Sequence, residues 1–388
     1  DIRVRTIDAI HPDIIANPVA NHLERYWVVT PSVVTGTYTY TLQMGYNSAS
    51  DVTGSEASIN PSLWNGSSWL PMVGTAGTNV LNFAGTMNNS NAPLSLTGTE
   101  FTGREGVLFY YRSIANGDWS TPAIWEVDTD PAFSAPIAAS NAPTSSNSAQ
   151  VIVSAGTTVT VSAAISALDV IVNGTLQSTT TLVGAYTGII GSITFNAASN
   201  YVHAANGGVV PTATWNTSSS VLLSGIVGAT TLGGISGQSF GNWEHDSPGQ
   251  TSVFSYALAG VATVFKGNFV MDNSGSGSVN FKNSTAAVTT TINGNFTQNG
   301  GSFNANVGAT AGLTLSVGGA MTIAGGTFNL STAAVACVLN LSGDFLQTGG
   351  TFTQTSATVS TVNFLGTSAI FNQSGGIYTN TYFNYTLS

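Results

Sequence analysis

Residues 343–352 read "GDFLQTGGTF", and the reading of the fold rests on the recurrence of this phrase. Its paired glycines, Gly349-Gly350, have counterparts at Gly300-Gly301, Gly325-Gly326 and Gly375-Gly376, so successive pairs stand 25, 24 and 26 residues apart. Four residues before the first glycine of each pair come Phe296, Met321, Phe345 and Phe371. Three residues after it come Phe303, Phe328, Phe352 and Tyr378. Further upstream Ile292, Val317 and Leu341 agree as well, while the fourth copy slips to Phe364, as an insertion at a corner would produce.

A period of about 20 to 30 residues, built from short alternating β runs with no helical stripe, predicts one coil of a parallel β-solenoid per repeat. A single coil cannot bury its inward side chains. Stacking buries them, because equivalent residues then lie about 4.8 Å above one another and Phe rests on Phe. The paired glycines are expected at a corner, with positive φ that a Cβ would penalise.

An upstream copy, "GNFVMDNSGSGSVNF" from Gly267, precedes Gly294 of "GNFTQNGGSF" by 27 residues. Before it, "AQVIVSAGTTVTVSAAISALDVIVNGTLQ" and "GSITFNAASNYVHAANGGVVPTATWNTSSSVLLSGI" alternate in the same way. They carry the array back to about residue 149, room for roughly nine or ten coils and a rod of about 45 Å. The last copy ends in "YFNYTLS" without a polar cap, so the parent protein is expected to continue beyond Ser388.

Composition fits this reading. Charged residues are 6% of the 388 and apolar ones 42%, against about 25% charged in average globular proteins. Regularly spaced Val, Ile, Leu and Phe supply the core that a disordered chain lacks. A net charge of −10 with seven Lys and Arg gives no attraction for phosphate backbones, which excludes nucleic acid as an expected partner. No apolar run reaches the roughly 18 residues of a membrane span, and "DIRVRTIDAI" lacks the order of a signal peptide. A secreted form would therefore be a trimmed one. The one cysteine, Cys337 in "VACVLNL", excludes an internal disulfide framework and reads as a buried, inert thiol.

Charge divides the chain. Arg3, Arg5, Arg25, Arg104 and Arg112 and twelve of the seventeen acids precede residue 131; beyond it only Asp169, Glu244, Asp246, Lys266, Asp272, Lys282 and Asp344 remain. In the first part "RYWVVTP", "GTYTYTLQMGY" and "GVLFYYRS" are strand-length runs, and Trp64 and Trp69 bracket an Asn-Gly turn that predicts a hairpin. The expected class is all-β: an immunoglobulin-like β-sandwich over 1–112, a linker and solenoid cap over 113–148, and a right-handed parallel β-helix over 149–388.

"HLERYWVVTP" followed by "GTYTYTLQMGY" resembles the β-sandwich segment of very large secreted surface proteins of the Bacteroidetes. "NGDWSTPAIWE" resembles the Trp-containing lead-in to their β-helical arrays, and "YVHAANGGVVPTATWN" and "GDFLQTGGTF" resemble coils of those arrays. The resemblance covers most of the chain. It implies export by the type IX secretion machinery, an extracellular or cell-surface location, attachment to surface anchor proteins, and a role as adhesin or filament. It supplies no catalytic residues, and the terminal sorting domain of such proteins is not visible here.

Few groups offer chemistry. "NWEHDSP" holds Glu244, His245 and Asp246, but strand alternation sends the two acids to one side and the histidine to the other. His203 approaches His245 only if their coils stack, and a histidine pair alone is a weak metal site. Asp128 and Asp130 in "VDTDP", like Asp8, His11, Asp13, His22 and Glu24 near the start, are weak candidates for structural calcium, without a tight Asp-x-Asp-x-Asp spacing. Lys266, Lys282, Asp272 and Asp344 read as solubilising edges beside turns. No catalytic residue, cofactor or firm metal site is expected.

The sequence thus points to a non-enzymatic surface stalk, with glycans or further copies of itself as partners bound through many weak contacts. The alternative is a polysaccharide-binding or polysaccharide-degrading β-helix enzyme, which needs two carboxylates within about 5 to 10 Å, from Glu244 and Asp246 or from neighbouring coils.

Overall fold

A computed structural model describes residues 1–388 apart from positions 35, 67–68, 73, 84–86, 89–91, 106–107, 146, 257, 259, 380 and 388. The chain is all-β and divides into two compact units, residues 1–152 with 166–169 and residues 153–165 with 170–388.

In the first unit a six-stranded antiparallel sheet runs in the order Ile2–Ile7, His22–Pro31, Thr99–Arg104, Asn60–Trp64, Trp69–Pro71, with Val52–Thr53 also on His22–Pro31. The hairpin expected around Trp64 and Trp69 forms, with those two residues opposite each other; positions 67–68 of its turn lie outside the described residues. A three-stranded sheet of Gln43–Gly45, Val80–Phe83 and Gly74–Gly77 shares its core, where Leu23, Trp27, Leu63 and Phe101 meet Met44, Leu81 and Phe83. The run "GVLFYYRS", read with the sandwich, forms Phe109–Ser113. This strand pairs antiparallel with Trp125–Asp128 and parallel with Ser148–Val153. Beside it Trp125 is fully buried and donates its indole N–H to the Trp119 carbonyl at 3.0 Å.

The second unit is a parallel β-solenoid of about nine turns. Its first face holds ten strands from Thr158–Val161 to Phe371–Gln373, its second eight from Gly208–Val209 to Ile377–Tyr378, and its third seven from Ser239–Phe240 to Phe383–Leu387. Register gives the ladder directly. On the first face Val159, Leu176, Tyr201, Val221, Trp243, Phe269, Phe296, Met321, Phe345 and Phe371 are successive partners. All are fully buried except Phe371. On the second face Val279, Phe303, Phe328, Phe352 and Tyr378 form the matching column. On the third, Ile292, Val317, Leu341 and Phe364 do the same. The slip in the fourth copy is a longer corner between Phe364 and Phe371, and the strands on either side stay in register.

Seven of the ten positions of the opening phrase now have a physical reason. A Cβ on Gly343 would stand 2.4 Å from the Gly319 carbonyl oxygen of the coil before it. Asp344 accepts the Ile370 N–H of the next coil at 2.8 Å, as Asn268 and Asn295 accept those of Asn295 and Ala320. Phe345 and Phe352 fill the two columns. Gln347 is fully buried, and its amide donates toward the carbonyls of Gly349, Gly350 and Ile377.

The glycine pair corrects the expectation in part. Only the second member takes positive φ, +59° at Gly350. At the first member, Gly349, the need is space, since a Cβ would stand 2.3 Å from the Ala324 carbonyl oxygen.

Candidate functional site

The strand Asn242–Asp246 lies between Ser220–Leu223 and Phe269–Asn273 on the first face. Alternation works as expected: Trp243 and His245 point into the core, while Glu244 and Asp246 are half-buried on the outside. Sequence reasoning missed the third member of this group. Asp272 follows Glu244 by one coil, and the register shift after His245 brings the next strand's outward residues alongside. Burial raises the Glu244 carboxyl above the ordinary range, helped by a hydrogen bond and repulsion from Asp272 and by repulsion from Asp246. Asn299 donates to Asp272 from the coil beyond. Among the described residues, however, no group of three or more His, Cys, Asp or Glu side chains is placed to hold a metal ion.

The histidines serve the interior. Ser178, His203, Leu223, His245, Met271, Gln298, Ile323, Gln347 and Gln373 occupy one register column, at or near the end of each first-face strand. His203 and His245 therefore stack in one column, as their coils require, but Leu223 separates them. His203 donates from Nε2 to the Gly207 carbonyl at 2.7 Å and accepts the Tyr201 hydroxyl at Nδ1, 3.0 Å. His245 donates from Nε2 to Gln250 Oε1 at 3.0 Å and accepts the Tyr256 hydroxyl at 3.1 Å, and Tyr256 in turn accepts the Trp243 indole N–H. Burial lowers the pKa of both rings, His245 to about 4. Each is a neutral ring bridging its own corner, the task that Gln298 and Gln347 perform later in the array.

The calcium candidates are occupied locally. Asp128 accepts the N–H groups of Asp130 and Ala135 at 3.1 and 2.8 Å, and Asp130 accepts those of Ala132 and the Ser134 hydroxyl, which lower its pKa. These bonds shape the loop between Trp125–Asp128 and Ile137–Ala138. Near the start of the chain the ionisable residues go to separate partners: Asp8 to Arg25, His11 to Glu100, Asp13 to Trp69 and Asn17, and Glu24 to Thr53. His11 caps the short helix Pro12–Ala16 and packs against Tyr26 and Trp69.

Two further expectations meet the structure here. Cys337 is buried and burial pushes its thiol pKa up, as an inert thiol requires. Lys282, read as a solubilising edge, is instead fully buried, with its ammonium on the Ala311 carbonyl and its pKa lowered by desolvation. Its long stem fills the column position that Asn306 fills on the next coil. Among the described residues no helix is long and apolar enough to cross a membrane. No family model matches the chain, and neither do any curated protein or solved structure.

Proposed function

We propose that this chain is a structural segment of an extracellular surface protein, a β-solenoid stalk that carries attachment or filament formation and has no catalytic activity. The observation that carries this reading is how the ionisable and aromatic groups of the solenoid are used. Its histidines brace their own corners, its buried lysine and its stacked rings hold one coil on the next, and the parallel sheets add backbone bonds between successive coils. Resemblance to the Bacteroidetes surface proteins adds the type IX export route, the anchoring partners, the immunoglobulin-like form of the first sandwich, and contact with glycans or other copies of the chain. Right-handed winding follows from the general hand of parallel β connections.

One observation favours a second reading. Glu244 and Asp246 face outward from one strand with Asp272 hydrogen-bonded to Glu244, a group of carboxyls of the type glycoside hydrolysis uses, although the bonded pair stands closer than the roughly 5 to 10 Å between the two carboxyls that the reaction needs. The deciding experiment incubates the whole chain with a panel of neutral and acidic polysaccharides and follows both binding and release of new reducing ends. Binding without release supports the stalk. Release that disappears in Glu244→Gln overturns it in favour of the enzyme.

A further inference from the structure

The third face of the solenoid presents a surface the stalk reading does not use. Its strands Val288–Ile292, Leu313–Val317, Val338–Leu341, Ser360–Phe364 and Phe383–Leu387 pair in parallel with no shift of register. Ile292, Leu315 and Val317 point inward, so alternation turns two columns outward. One runs Thr289, Thr314, Val338, Thr361, Asn384 and the other Thr291, Ser316, Asn340, Asn363, Thr386. The asparagines are tied along the column, Asn363 to Asn340 at 2.8 Å and Asn340 to Ser316 at 3.1 Å.

Chemistry narrows what such a face can hold. After Lys282 the only Asp, Glu, Lys, Arg or His is Asp344, and its carboxylate is at a corner, bonded to the Ile370 N–H. Without charge the face does not select phosphate, uronic acid or lipid headgroup. The rings Phe303, Phe328 and Phe352 belong to the second face and point into the core; on the third face Tyr385 is exposed and Phe364 half-buried, so aromatic surface is confined to its last two strands. What remains is a rigid grid of hydroxyl, methyl and carboxamide groups. Its steps are about 4.8 Å along the solenoid and about 6.6 Å across it, twice the rise per residue. The oxygen lattice of ice repeats on the same scale in both directions. Threonine suits such a lattice, since its χ1 is stiff and little side-chain entropy is lost on contact.

We propose that this third face binds ice, with ordered water held over the two columns of threonine, serine and asparagine. The inference goes beyond the stalk reading and stands or falls separately from it. It is tested on the whole chain by thermal hysteresis and by partition into a growing ice front, with Thr314→Arg/Thr361→Arg on the third face and Thr322→Arg on the first. Thr322 also points outward, between buried Met321 and Ile323. Hysteresis in the parent, lost in the double variant with circular dichroism and melting unchanged, and kept in Thr322→Arg, is the expected result. Absence of hysteresis in the parent overturns the proposal, as does equal loss in Thr322→Arg. So does retention on microcrystalline cellulose with exclusion from ice.

Discussion

Phe328 lies over Phe352 with ring centroids 5.3 Å apart and planes 3° from parallel, although a full coil of chain separates them. The distance slightly exceeds the spacing of two hydrogen-bonded strands, about 4.8 Å, so the rings stack with an offset, the arrangement aromatic quadrupoles prefer. Phe303 below and Tyr378 above continue the stack, at 5.5 Å from Phe328 and 5.1 Å from Phe352. Each ring touches little beyond its own coil and the two adjacent ones, which makes stability local in this fold.

Phe328→Ala empties a fully buried position and is expected to cost about 3 to 5 kcal/mol. Phe371→Ala, at a position 47% exposed, removes far less buried surface and is expected to cost a fraction of that. Urea unfolding gives the two values. Hydrogen exchange adds the sharper check: Phe328→Ala should lose protection in the coils of Phe303 and Phe352 and keep it in the coil of Tyr201. Uniform loss along the solenoid would contradict the nearest-neighbour account.

Gly326→Ala and Gly156→Ala separate space from conformation. Both glycines have positive φ, +67° and +81°. At Gly156 a Cβ meets nothing within 4 Å, so only backbone strain of about 1 to 2 kcal/mol is expected. At Gly326 the Cβ would stand 2.1 Å from the Gly301 carbonyl oxygen, and the coils must part. Thermal melts should therefore show a modest shift for Gly156→Ala and a much larger one for Gly326→Ala.

The later coils were legible because their period is nearly constant, and a near-constant period places Phe296, Met321, Phe345 and Phe371 in one column once coils stack. Earlier coils hid the same column. Val159 and Leu176 are partners only 17 residues apart, and Tyr201 and Val221 only 20, because their corners are shorter. The carboxylate group was half legible. Glu244 and Asp246 share a strand, whereas Asp272 joins them only through a register shift that no spacing rule contains. Lys282 was misread for a related reason: charge was taken as a sign of exposure, although its place in the repeat matches buried Asn306.

Gln347 offers a test of how a corner tolerates its inward residue. The same column holds Met271 and Ile323, so an apolar side chain of similar length fits there. Oε1 of Gln347 is buried without a partner, and this offsets part of what its amide N–H groups contribute. Gln347→Met is therefore expected to change stability by less than about 1 kcal/mol. Gln347→Glu puts a carboxylate against the carbonyls of Gly349 and Gly350 and should cost several times more, with a loss that grows as pH rises. Equal effects in the two variants, measured by denaturant unfolding at pH 5 and pH 8, would show that the amide bonds decide the corner.

Acid should weaken the solenoid through its two buried histidines. The His245 ring titrates near 4 in the fold, because burial disfavours its charged form, and His203 is lowered for the same reason. In the unfolded chain both titrate near 6.5. Between those limits the unfolded state binds more protons, so stability is complete above about pH 6.5 and falls as pH drops toward 4. The slope is at most about 1.4 kcal/mol per pH unit for each ring. Glu244 acts in the opposite sense, since its raised pKa favours the fold at low pH and loses that contribution as pH rises. His245→Gln tests the assignment, because Gln298 and Gln347 already occupy that column. Unfolding measured from pH 7 to pH 4 should show a shallower decline in His245→Gln than in the parent chain, and a steeper one in Glu244→Gln. Identical slopes in all three proteins would place the acid sensitivity elsewhere.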